Sequence, residues 1–178
     1  MEAGTRDRVV RLTRGARFEA RVALATGVPA GLLELGLDGP EQRYVLGEPH
    51  VLLRDLEPGE YDLLVRTVQG RWLVTRIDGL VLGSDAAVDP RLDPLDLRGA
   101  LQVCRFRLES AGGAPLFGIA PLVRVEHFGE GPARTDEEGR LVLVLPAEVA
   151  WVEVQPPGHA PVRSKVSAVE RVLTFEPD

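Results

Sequence analysis

The sequence is poor in several things, and each shortage excludes a class of protein. One cysteine, Cys104, stands among 178 residues. Neither an intrachain disulfide framework nor a zinc site built on several thiolates can be assembled from it. Lys165 is the only lysine, and the dominance of arginine reads as composition bias rather than function. Positive charge is short overall: the net charge of −6 argues against a nucleic-acid binder that works by neutralising phosphates. No apolar run approaches the roughly 18–20 residues needed to cross a bilayer. The N-terminal run Met1 to Arg8 has no apolar core and so is not a signal peptide. A cytoplasmic location is expected, or an extracellular or cell-envelope one if the segment belongs to a longer exported chain. Aromatics make up only 5%, and the first half holds no ten-residue pattern of an amphipathic helix.

What the chain does have is punctuation. Gly 19 and Pro 14 are spread along it rather than clustered, which predicts many short strands joined by tight turns. The clearest stretch runs from Leu53 to Val65. It reads as a strand, a Pro58-Gly59 turn in which Gly59 takes a positive φ, and a second strand. Tyr61, Leu63 and Val65 share one face and Asp62 and Arg66 the other, the period of a half-buried strand. A hairpin is therefore expected here. Phe18, Ala20 and Val22 alternate with Arg17, Glu19 and Arg21 in the same way. Further strands are expected at 32–37, 43–46, 50–54, 72–76, 77–82 and 95–97.

The second half repeats the plan. Cys104, Phe106 and Leu108 alternate with Arg105 and Arg107. Strands are expected at 122–127, 141–145, 151–154, 162–166 and 171–175, and 128–132 reads as a loop. Arg11-Leu12-Thr13-Arg14-Gly15 corresponds to Asp96-Leu97-Arg98-Gly99, and Val172 to Phe175 is a third occurrence of that strand. Internal repetition of this kind points to tandem units. The expected division is a first β-sandwich over 13–88, a short linker over 89–95 stiffened by prolines, and a second β-sandwich over 96–178. Residues 7–12 are either the first strand of unit one or the closing strand of a preceding repeat. The fold class is all-β, two tandem antiparallel sandwiches.

The turn motifs carry a family likeness. Gly27-Val28-Pro29-Ala30-Gly31 and Leu56-Glu57-Pro58-Gly59-Glu60-Tyr61 in the first half resemble the turns of carboxypeptidase regulatory-like domains. So do Gly113-Ala114-Pro115-Leu116-Phe117-Gly118, Thr135-Asp136-Glu137-Glu138-Gly139-Arg140 and Pro157-Gly158-His159 in the second. Those domains share a transthyretin-like (prealbumin-like), Greek-key sandwich with Cna B-type modules of bacterial surface proteins. The resemblance implies a non-catalytic module, a spacer, stalk or binding accessory. Cna B-type modules can carry an isopeptide bond from a lysine in the first strand. The first half has no lysine and Lys165 comes late in the second, so no crosslink is expected.

Catalytic and metal readings find little support. His50, His127 and His159 follow no ligand spacing. Gly83-Ser84-Asp85 lacks the nucleophile elbow. Asp136-Glu137-Glu138 is consecutive where a calcium loop alternates. No catalytic residue, metal or cofactor is expected. Trp72, Trp151, Tyr44 and Tyr61 read mainly as packing. Trp72, beside Arg71 and Arg76, is the exception expected to be exposed and to contact a ligand. The functional expectation is a structural or interaction module with a protein partner, and the alternative is a carbohydrate-binding accessory module.

Overall fold

The computed structural model describes residues 15–38, 42–83 and 88–177, with the backbone alone for 42–44. The strand candidate at 8–12, the Gly83-Ser84-Asp85 serine and the Tyr44 side chain lie outside the described residues. Among the described residues the structure is nearly all β, with no α-helix and two short 3₁₀ turns.

Among the described residues the strands fall into two sets of seven with the same connectivity. The first set is β1 (Ala16–Ala23), β2 (Leu33–Asp38), β3 (Gln42–Val45), β4 (His50–Leu56), β5 (Gly59–Thr67), β6 (Leu73–Leu82) and β7 (Leu95–Asp96). The second is β8 (Leu101–Ser110), β9 (Leu122–Val125), β10 (Gly129–Pro132), β11 (Arg140–Pro146), β12 (Trp151–Gln155), β13 (Val162–Lys165) and β14 (Arg171–Phe175). In the first unit a sheet of order β4-β1-β7 faces one of order β3-β2-β5-β6. In the second, β11-β8-β14 faces β10-β9-β12-β13. Pairing is antiparallel except at the closing strands: β7 runs parallel to β1, and β14 parallel to β8. The two copies of the closing strand thus hold equivalent places.

Period-two alternation sets what each unit buries. Phe18, Ala20 and Val22 of β1 meet Leu33, Leu35 and Leu37 of β2 and Tyr61, Leu63 and Val65 of β5 in one apolar core. Cys104, Phe106 and Leu108 of β8 do the same against Val123, Val125, Val152 and Val154 in the other. Tyr61 is buried through its ring, and its hydroxyl donates to the Glu57 carbonyl at 2.6 Å. A buried phenol needs such an acceptor.

Five expectations are corrected. Pro58-Gly59 does not close a hairpin. β4 pairs with β1, whereas β5 pairs with β2 and β6. The turn is a corner that carries the chain from one sheet to the other, so that Leu56 and Tyr61 both reach the core. The left-handed residue is Asp55 (φ 60), not Gly59. Asp55 forms the irregularity in the β1–β4 pairing, and a Cβ on Gly15 would lie 2.4 Å from its Cα. Only glycine tolerates that approach.

Most of the stretch 89–95, expected as a short proline-stiffened linker, packs against the first unit. Leu92 and Leu95 are in the first core, and the Leu97 N–H donates to the Ala23 carbonyl at 2.9 Å. A two-residue strand is too short to show a pattern, which is why Asp96 reads as the opening of the second unit. The expected loop 128–132 contains β10, whose Gly-Glu-Gly-Pro composition hides a strand. The expected strands 72–76 and 77–82 are a single β6. It bulges where the Asp62 carboxylate accepts the Gly79 N–H at 3.0 Å.

Candidate functional site

The sequence-predicted trio of Arg71, Trp72 and Arg76 does not form an open platform. Trp72 is 1% exposed. It lies just before β6 in the first unit, yet its ring belongs to the core of the second, with Phe106, Leu143 and Ala133. Nearby arginines in sequence say nothing about a ring that is buried by another unit. Arg71 has φ 54 and reaches Glu34 at 3.9 Å. Arg76 is bound by the Asp62 and Asp78 carboxylates, which raise its pKa, Asp78 more than Asp62. Neither arginine turns toward the indole as a shared binding surface.

What gathers around Trp72 is a junction. The chain from Gln69 to Trp72 joins β5 to β6 and is pressed against the second unit. Gly70 lies under the Trp72 ring, where a Cβ would be 2.1 Å from the indole. On the far side, a Cβ on Gly131 of β10 would lie 2.3 Å from the Gly70 Cα and 3.0 Å from the Gln69 carbonyl. Two backbones therefore touch directly, which two glycines allow and a side chain at either place would prevent. The Gln69 amide completes the contact. Its Nε2 donates to the Val142 carbonyl at 2.6 Å, and its Oε1 accepts from the Val144 N–H at 3.4 Å. One side-chain amide thus plays the part of a neighbouring strand for β11, an edge strand whose free peptide groups would otherwise seek another chain. The Asp136 carboxylate caps the same edge by accepting the Arg140 N–H at 2.8 Å.

Apolar contact runs across the same boundary. Leu101 of β8 and Val144 of β11 are buried in the first core, not the second. Leu141, Leu143 and Leu145 face inward, and Val144, one residue out of phase, faces the neighbouring unit. Gln69, Gly70, Gly131 and Val144 are the residues that sequence reading missed. The out-of-phase apolar Val144 in β11 is the one signal that could have marked a second buried face.

The exposed indole is Trp151 of β12, at 39% exposure. The Arg163 guanidinium sits 5.2 Å from its ring centroid, a cation–π arrangement. Around it the outer face of β9, β12 and β13 is laced by ion pairs: Arg124 with Glu130 at 2.9 Å and Glu153 at 2.7 Å, and Arg163 with Glu126 at 3.7 Å. A hollow of about 200 Å³ lies over this face, but Arg163 already covers the ring a sugar would stack on.

The remaining reactive groups stay apart. His50 Nε2 is 3.1 Å from Glu19 Oε1, His159 Nδ1 is 2.9 Å from the Pro157 carbonyl, and His127 lies beside Glu126. Among the described residues no three His, Cys, Asp or Glu side chains gather as a metal site. Cys104 is buried in the second core, and that burial pushes its thiol pKa up to about 12.

No protein-family model matches the chain, and no curated protein matches it. Several solved structures align with most of the chain. The Bacillus anthracis TIE protein aligns with 92% of this chain at 14% identity and a TM-score of 0.35, and the chain spans only 34% of that protein's length. The shaft pilin SpaA from Lactobacillus rhamnosus GG aligns over 93% of this chain and 98% of its own, at 10% identity and a TM-score of 0.37. A Streptococcal ancillary pilin aligns over 95% of this chain and 59% of its own, at 14% identity and a TM-score of 0.32. All three superpositions are loose.

Proposed function

We propose that the chain is a non-catalytic structural and interaction module: two β-sandwiches, divided near residues 97–100, that its own contacts lock into one stiff piece. The observation that carries this reading is Trp72, a residue of the first unit buried in the core of the second. An inter-unit contact made of a buried aromatic, touching backbones and a bidentate amide resists bending in a way that a bare linker does not. The turn motifs support a kinship with carboxypeptidase regulatory-like or Cna B-type modules, and with it a place in a larger surface or envelope protein. Such a module contributes shape and spacing, and its partner is another protein.

Small-angle X-ray scattering tests the stiffness. The wild-type profile is expected to fit one fixed arrangement, and Gly131→Leu, which drives a side chain into Gly70, is expected to need an ensemble. A wild-type profile that only an ensemble fits would overturn the reading. Hydrolytic turnover abolished by His50→Ala, His127→Ala or His159→Ala would overturn its non-catalytic part.

A further inference from the structure

A groove of about 290 Å³ opens where the two units meet. Its parts come from three places: the loop 25–28 between β1 and β2, the start of β8 with Leu101 and Val103, and Ala168 from the loop before β14. The groove exists only because the units are held together. Its walls are largely aliphatic, with Val28, Leu101, Val103 and Ala168 contributing. Gln102 also borders it, but its Nε2 is spent on the carbonyls of Pro146, Ala147 and Val149 at 3.0, 3.0 and 2.7 Å. Among the described residues, Arg105 is then the one charged side chain lining the groove.

Arg105 differs from Arg107 and Arg140. Arg107, two residues along the same outer face of β8, is held by Glu109 at 3.0 Å, and Arg140 is held by Glu138. Among the described residues no carboxylate pairs with Arg105. Two exposed aliphatic residues follow the groove along the chain, with Glu170 and Arg171 between them. Val169, next to Ala168, is 74% exposed and Val172 of β14 is 56% exposed. Val172 stands opposite Arg107, and β14 is the edge of its sheet. An aliphatic strip beside an edge strand, with an unpaired guanidinium at one end, fits an extended chain better than a compact molecule.

We propose that this groove docks an extended segment of a partner protein in which acidic and aliphatic residues alternate. One aliphatic side chain enters between Val28 and Val103, and the neighbouring carboxylate takes the Arg105 guanidinium as a charge-assisted pair. The proposal rests on reading the chain as an interaction module and names the chemistry of its partner.

The test is a titration of the full ¹⁵N-labelled chain with capped pentapeptides alternating Glu or Asp with Val, Leu or Ile, and with the same peptides carrying Lys in place of the acids. The expected result is amide shifts at Thr26 to Val28, Val103 to Arg105 and Ala168 to Val172 for the acidic set alone. Affinity should fall at least about tenfold in Arg105→Ala, and Arg105→Glu should reverse the charge preference. Arg105 is exposed, so both variants are expected to keep the wild-type spectrum elsewhere. Three outcomes overturn the proposal: no shifts at millimolar peptide, equal response to the Lys set, or affinity unchanged in Arg105→Ala. Shifts at these residues that grow with protein concentration alone also overturn it, since a second copy would then be the occupant. Scattering reports the junction separately, so failed docking with a stiff junction rejects the groove and leaves the module reading standing.

Discussion

Trp72 and Trp151 put opposite roles on the same side chain. Trp72 is sealed between the units, so Trp72→Ala removes a large ring from a packed site. That change should cost about 3–5 kcal/mol, read as a lower denaturant midpoint, and should leave a fluorescence spectrum dominated by the redder, half-exposed Trp151. Tyr61→Phe tests the corner: losing the hydroxyl bond to Glu57 should cost about 1 kcal/mol without altering the spectrum of the second unit. Cys104 should resist alkylation in the native protein at pH 8 and react once denatured, because its thiol is buried and its pKa raised to about 12. Asp96 goes the other way. The Arg98 side chain and N–H hydrogen-bond its carboxylate and lower its pKa from 3.8 to about 2. A depressed carboxylate stabilises the fold above its unfolded pKa and loses that contribution as pH falls through the folded value. Asp96→Asn should therefore flatten the acid loss of stability between about pH 4 and pH 2, measured by unfolding at stepped pH.

Elements were legible where side chains alternate and obscure where position alone decides. The strands through Phe18, Tyr61, Phe106 and Val152 could be read from period two, because burial on one face leaves that pattern in the sequence. Which strand pairs with which could not. Leu53 to Val65 looks like a hairpin because a corner between sheets uses the same Pro-Gly chemistry as a turn within one. β10 was hidden by its glycines, and one of them, Gly131, is there to let Gly70 approach. The candidate site was misplaced for a related reason. Trp72 follows Arg71 and precedes Leu73 and Val74 in sequence, and only the fold shows which core receives it. Gln69 carries the element-scale prediction. Gln69→Leu keeps the bulk but leaves the Val142 carbonyl and the Val144 N–H on the β11 edge unpaired. It should lower stability by about 1–3 kcal/mol and increase association at high concentration, measured by light scattering.

At the scale of the molecule, two sandwiches, each with seven strands among the described residues, are joined by contacts that each unit makes with the other's interior. Leu101 and Val144 enter the first core and Trp72 enters the second. On the proposed reading this exchange of side chains stiffens the pair, and residues of both units line the groove beside Arg105. Residual dipolar couplings measured across both units in one aligning medium test this most directly. A single alignment tensor should fit β1–β7 and β8–β14 together in the wild type. Two tensors of different magnitude would mean that the units reorient independently, and the account of a locked junction would be wrong.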